Sequence, residues 1–137
     1  MTIKKIFSNW LPFVFWAGFI FYLSSIPNLK ASQHPFWDEI IRSFLHFFFY
    51  LILYLLCFRA IGKKSLHCFL FVLAYSISDE LHQYFVPTRS FQFADLVIDN
   101  IGNLLGLFLT QTVFPSSPQS LKKWIKKLDL FPSNMAN

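Results

Sequence analysis

Ser78-Asp79-Glu80-Leu81-His82-Gln83-Tyr84-Phe85-Val86-Pro87-Thr88-Arg89 sets two adjacent carboxylates, a His and a Gln in the last turns of an otherwise apolar helix. The apolar run begins at Leu66, and only when carried on to Phe85 is it long enough to cross a bilayer. A charge at bilayer depth costs about 2.5–3.5 kcal/mol on insertion scales, and less near the interface. A chain that carries two side by side is expected to bury them against partners or to put them to use. The fold and the function therefore both turn on what faces this cluster.

The 137-residue chain is 55% hydrophobic and 20% aromatic but only 14% charged, with a mean hydropathy of +0.46. That balance suits a single small helical bundle in lipid and fits poorly with a soluble domain. The net charge of +5 reads as membrane orientation and attraction to anionic headgroups, with no nucleic-acid partner implied. Cys57 and Cys68 lie in apolar runs without CxxC spacing and read as packing residues. Zinc-finger spacing, a Walker loop, GxGxxG and GxSxG are all absent from the sequence.

Working outward, the pattern predicts an all-α membrane protein with four transmembrane helices in an antiparallel bundle, at about 10–25, 40–59, 66–85 and 95–114. One domain, 1–137, contains them. The first helix carries Pro12 in its first turn and stops at Ser24-Ser25-Ile26-Pro27, because proline cannot continue the hydrogen-bond ladder. It reads as an uncleaved helix, since no small-residue cleavage site follows. Asn28 to Glu39 and Val86 to Ala94 read as loops. Pro115 stops the fourth helix. The tail 115–137 sets Leu121, Trp124, Ile125 and Leu128 at helical spacing among Lys122, Lys123, Lys126 and Lys127. That is the pattern of a short basic amphipathic helix lying on anionic headgroups.

Lys4, Lys5, Arg59, Lys63, Lys64 and the tail lysines fall on one side of such a bundle, against Lys30, Arg42 and Arg89 on the other. The positive-inside rule then places both termini in the cytoplasm. The unusual polar groups collect at the opposite end. Ser24 and Ser25 close the first helix; Arg42, Ser43, His46 and Tyr50 open the second. Asp79, Glu80 and Gln83 close the third; Asp95 and Asp99 open the fourth. At about 100° per residue, His46 and Tyr50 share a stripe, as do Tyr75, Ser76, Asp79 and Gln83. Asp95, Asp99, Gly102, Asn103 and Gly106 share an arc of the fourth helix, with Gly102 and Gly106 as a GxxxG step. The expectation is an inward-facing polar cup at the extracytoplasmic face.

Three readings of the cup follow from its chemistry. It is a network satisfied internally, with Arg42 and Arg89 pairing the carboxylates. It is a site for a lipid-borne headgroup, with His46, Asp79, Glu80 and Asp95 as proton-moving candidates and Arg89, Gln83, Tyr50, Ser25 and Asp99 as binding candidates. Or it is an ion path, against which stands the solid Phe, Leu and Ile of the second helix past Tyr54. A metal held by His46, Asp79, Glu80 and Asp95 lacks any supporting spacing, so no metal is assigned. The cofactor and oligomeric state are not fixed by these residues.

With those residues in hand, the chain resembles the VanZ-like family of small bacterial membrane proteins over about Leu23 to Gly106. The likeness rests on Ser24-Ser25-Ile26-Pro27, Asp38, His46 and Tyr50, Ser78-Asp79-Glu80 with Gln83, Pro87 and Arg89, then Asp95, Asp99, Gly102 and Gly106. The family often has Gly where Thr88 stands and Asn where Asp99 stands. The resemblance implies a multi-pass protein of the bacterial cytoplasmic membrane acting at the cell envelope, and the convergence of the cup residues adds the expectation that it binds or modifies a membrane lipid or lipid-linked cell-wall component. It also implies a link to teicoplanin-type glycopeptide tolerance, the antibiotic resistance associated with the founding member.

Overall fold

The computed structural model describes residues 3–61, 65–120 and 122, with side chains from Phe7 onward. Four long helices make up almost all of it: α1 (Ile3–Ser24), α2 (Pro35–Ile61), α3 (Ser65–Phe85) and α4 (Phe93–Phe108). A π-helical turn, Leu109–Val113, and a last short turn, Phe114–Ser116, continue α4. The described residues contain no strand. Of the tail, only 115–120 and Lys122 are described, so its amphipathic pattern and the Lys63–Lys64 turn lie outside the described residues.

Two helix starts differ from the sequence expectation by more than a turn, and Pro115 lies inside the last helical turn, Phe114–Ser116, so it does not stop the fourth helix. The first helix begins at Ile3, so Pro12 lies in its interior and not in its first turn. The ring there removes one hydrogen bond and leaves the Ser8 carbonyl without its helical donor. The second begins at Pro35, where the fixed φ of proline and its missing N–H suit a first helical position. Asp38 in that first turn accepts from the backbone N–H of Ala31 at 2.6 Å and of Ser32 at 3.0 Å, pinning the preceding loop to α2.

Three segments are long and apolar enough to cross a membrane: Phe7–Ser24, Pro35–Ile61 and Phe93–Ser116. Helix α3 has 21 residues, about 31 Å at 1.5 Å per residue, but its polar C-terminal turns dilute its hydropathy. The surface is apolar where a soluble protein's is polar. Phe15 is 73% exposed, Phe85 74% and Phe93 70%, whereas Asp79, Glu80, Asp99 and Asn103 are buried. Such a distribution is stable when the surrounding medium is hydrocarbon.

Contacts fix the helix directions. Along α2 and α4 they advance together: His46 meets Asp99, Tyr54 meets Thr110. Along α2 and α3 they run in opposite order: Tyr50 meets Asp79, Tyr54 meets the Ser65 carbonyl. Along α1 and α3 they advance together again, from Ala17 with Tyr75 to Ser24 with Asp79. Phe13, Ile20, Leu53, Tyr54, Phe58, Cys68 and Val72 form the apolar core below the polar end.

Helices α2 and α4 make the most extensive contact of any pair. In lipid there is little hydrophobic gain from bringing helices together, so close backbone approach and packing carry the association. Gly102 and Gly106 permit it. A Cβ on Gly102 would collide with the Phe47 carbonyl oxygen and lie 3.2 Å from the Leu51 nitrogen. A Cβ on Gly106 would run into the Tyr54 ring. At Gly18 a Cβ would meet nothing within 4 Å.

Gly102→Ala is therefore expected to cost about 1–3 kcal/mol through overpacking against backbone that cannot yield. Gly18→Ala is expected to be neutral or to gain up to about 1 kcal/mol from helix propensity. Thermal unfolding of both variants in detergent checks this, and equal shifts would contradict the proposed α2–α4 contact.

Candidate polar site at one end of the bundle

Asp79 and Glu80 are neighbours in sequence but point about 100° apart around α3, so they enter different networks. Asp79 turns toward α1 and α2. Its Oδ2 accepts from Ser24 Oγ at 2.9 Å, Gln83 Nε2 at 3.1 Å and Tyr50 OH at 3.3 Å. Several neutral donors on one oxygen hold a buried carboxylate without a directly opposed cation.

Glu80 turns toward α4. Its Oε2 accepts from the backbone N–H of Gln92 at 3.1 Å, immediately before the first residue of α4. Gln92 itself provides no side-chain cap. Glu80 thus caps α4 from another helix, where the helix dipole favours negative charge. Beside it, Arg42 meets Asp95 at 2.8 Å and His46 Nδ1 meets Asp99 Oδ1 at 2.8 Å, each joining α2 to α4.

Arg89 ties the two loops to the bundle. Its Nε donates to the Ile26 carbonyl at 3.1 Å, Nη2 to the Leu23 carbonyl at 3.1 Å and Nη1 to Gln83 Oε1 at 2.9 Å. It therefore caps the end of α1, the Leu23 carbonyl also accepting from the Ile26 N–H at 3.3 Å, and through Gln83 it reaches Asp79. A guanidinium has five N–H donors, so two stay available after these bonds. The turn that presents Arg89 holds Thr88 at φ 71°. That left-handed conformation favours glycine. Here the Thr88 hydroxyl accepts from the Asn28 N–H at 3.0 Å, with Asn28 also left-handed at φ 53°.

A cavity of about 240 Å³ opens beside the Asp79 network. Its apolar wall is Ile20, Leu23, Leu29, Leu45 and Phe49; its polar lining includes Lys30, Arg42, Arg89, His46 and Asp79. Glu80, Asp95 and Asp99 are not in that lining. Burial, with the nearby Arg42 charge second, holds the Arg89 guanidinium below its ordinary pKa. A smaller pocket of about 140 Å³, lined by Lys30, Asp38, Arg42, Thr88 and Arg89 among others, adjoins the same arginines.

The structure brings together His46, Tyr50, Asp79, Glu80, Gln83, Arg89, Asp95 and Asp99. Ser25 is placed differently: its hydroxyl donates to the Phe21 carbonyl at 2.7 Å and meets His82 Nε2 at 3.0 Å, with the His82 ring stacked on Phe21. Ser24 is the serine that reaches Asp79. The spacing Phe13, Ile20, Ser24 along the buried side of α1 carried that signal. The ligand set weighed from sequence does not assemble, because Asp79 faces away and Asp95 is engaged by Arg42. Instead the ligating atoms of His46, Glu80 and Asp99 lie within 4.8 Å of one another.

A family model described as VanZ/LLP1 matches residues 1–114. No curated protein and no solved structure matches the chain.

The three-way fork of Arg89 cannot be reproduced by an ammonium on a flexible stem. Arg89→Lys is expected to keep the charge yet cost about 1–3 kcal/mol, from the lost bonds to Leu23, Ile26 or Gln83. Thermal unfolding reads this directly; an unchanged Tm would show that charge alone suffices at this position.

Proposed function

Because the chain belongs to the VanZ/LLP1 family, we propose that it is a four-span envelope protein whose polar end binds the anionic headgroup of a membrane lipid or lipid-linked cell-wall component. All four helices cross the bilayer as an antiparallel bundle in this reading, α3 sheltered by the other three. The lysine-rich ends face the cytoplasm of a bacterial cell and the polar end faces outward.

The observation that carries the reading is the composition of the cavity. Cations on one side and hydrocarbon on the other are what an amphiphile with a negative headgroup requires. Lys30 offers positive charge, Arg42 the N–H donors left beside its bond to Asp95, and Arg89 its two uncommitted N–H donors. Leu29 and Leu45 line the cavity and are 39% and 41% exposed, so its apolar wall continues into the lipid-facing surface. An acyl or prenyl chain can leave along that path without crossing water. An anion between Arg42 and Arg89 also relieves their mutual repulsion.

His46 and Asp79 are the cavity groups able to exchange a proton with a bound headgroup. Asp99 holds the His46 ring from behind, in the manner of a carboxylate that orients an imidazole. Teicoplanin-type tolerance, which the family resemblance implies, would follow from occupancy of this site by a cell-wall lipid. A purely structural role for the polar end is supported by the Asp79 and Arg89 bonds, which are spent inside the protein. The cavity, by contrast, contributes nothing to packing.

Native mass spectrometry of protein released from nanodiscs of bacterial envelope lipids tests the proposal. Wild type is expected to retain an anionic lipid, and Lys30→Ala to lose it by about tenfold, one charged contact being worth about 1.4 kcal/mol. Lys30 sits in a loop, so its replacement leaves the bundle standing. Retention of zwitterionic and anionic lipids alike, unaffected by Lys30→Ala, would refute headgroup binding here.

A further inference from the structure

We propose that His46, Glu80 and Asp99 form a binding site for one divalent transition-metal cation at the junction of α2, α3 and α4. The inference does not rest on the headgroup reading; it needs only these three side chains. Their ligating atoms come from three different helices and lie within 4.8 Å of one another. One nitrogen and two carboxylate groups at such separations can close on a single ion.

A second observation points to a ligand independently of the clustering. Glu80 and Asp99 are both 0% exposed. Yet Glu80 Oε1 and Asp99 Oδ2 have no hydrogen-bond partner among the described residues. A buried carboxylate oxygen with no donor is costly, about 1–3 kcal/mol or more when charged, and native structures rarely leave one. Here two stand in one cluster; outside it, Asp79 Oδ1 and Asn103 Oδ1 are also unmatched among the described residues.

The charges around the cluster are distributed unevenly. Arg42 is engaged with Asp95. Arg89 reaches Asp79 only through Gln83, on the other side of α3. Glu80 and Asp99 are left with one backbone N–H and one imidazole between them. A divalent cation balances two carboxylates.

Geometry agrees with this assignment. Neighbouring ligands on an ion at about 2.1 Å stand about 3.0 Å apart in octahedral and about 3.4 Å in tetrahedral coordination. His46 Nδ1 and Asp99 Oδ1 are 2.8 Å apart, sharing a proton. A cation replaces that proton with a shift of a few tenths of an ångström between these two, while Glu80, within 4.8 Å, closes on the ion by a larger side-chain adjustment. The donor set, one imidazole and two carboxylates, suits zinc, manganese or iron(II) over calcium or magnesium, which favour all-oxygen sites. Three protein ligands leave a position for water or substrate oxygen.

The test uses the full chain in nanodiscs, stripped with chelator and titrated with Zn2+, Mn2+ and Co2+. Wild type is expected to take up one equivalent, with a rise in Tm. Its Co2+ form is expected to show a visible ligand-field band of mixed nitrogen and oxygen coordination. Glu80→Gln and Asp99→Asn are each expected to weaken uptake at least tenfold, and His34→Ala, in the loop, to leave it unchanged. The Co2+ band of wild type keeps the test decisive should either carboxylate variant fail to fold. Absence of saturable uptake and of the band in wild type, or full uptake by folded Glu80→Gln and Asp99→Asn proteins, would overturn the site.

Discussion

A carboxylate taken out of water must find donors or a cation, and this chain buries four of them at one end of an apolar bundle. That requirement sets the arrangement of everything nearby. Asp79 draws in Ser24 of α1, Tyr50 of α2 and Gln83 of its own helix. Glu80 reaches the start of α4. Asp95 and Asp99 reach back to Arg42 and His46 on α2. These bonds join α3 to α1, to α2 and to the start of α4, and join α4 twice to α2, so together they specify rotation and depth where lipid-soluble side chains would allow sliding. Hydrocarbon-facing Phe and Leu provide no comparable directionality.

The apolar part of the bundle makes this polar end possible. Gly102 lets the backbone of α4 approach that of α2, and one turn earlier Asp99 comes within hydrogen-bond distance of His46. At the far end Tyr54 bonds both Ser65 and Thr110, holding the same three helices together. Structure and chemistry are therefore divided across α3. The Asp79 side is a clamp that ends in Arg89 and opens on the cavity. The Glu80 side is a compact charged cluster with two unmatched oxygens, Glu80 Oε1 and Asp99 Oδ2, against one, Asp79 Oδ1, on the clamp side.

Much of this is readable in the residues themselves. Proline positions and apolar runs mark four helices, and alternation alone brings Ser24, His46, Asp79 and Asp99 to one end. Helical phase puts His46 with Tyr50 and Asp95 with Asp99. What phase cannot give is which polar groups meet across helices. Asp79 and Glu80 look like one acidic pair in sequence, yet a 100° step sends them to separate networks. Arg89 reads as an anion anchor, but three of its donors go to two backbone carbonyls and an amide. Backbone acceptors at a helix end carry no residue signature, so this clamp is invisible before folding. Asp38 likewise closes on two backbone N–H groups of the preceding loop. Ser25 and Ser24 differ by one step at a frayed helix end, where the phase is least determined.

The claim on which the account depends is that buried polar bonds across helices hold this end together. A double-mutant cycle on His46→Gln and Asp99→Asn, measured by unfolding in the presence of chelator, tests it most directly. The account predicts a coupling of about 1–3 kcal/mol between the two positions, with the double variant far less destabilised than the sum of the single ones. Additive losses, within about 0.5 kcal/mol, would contradict it.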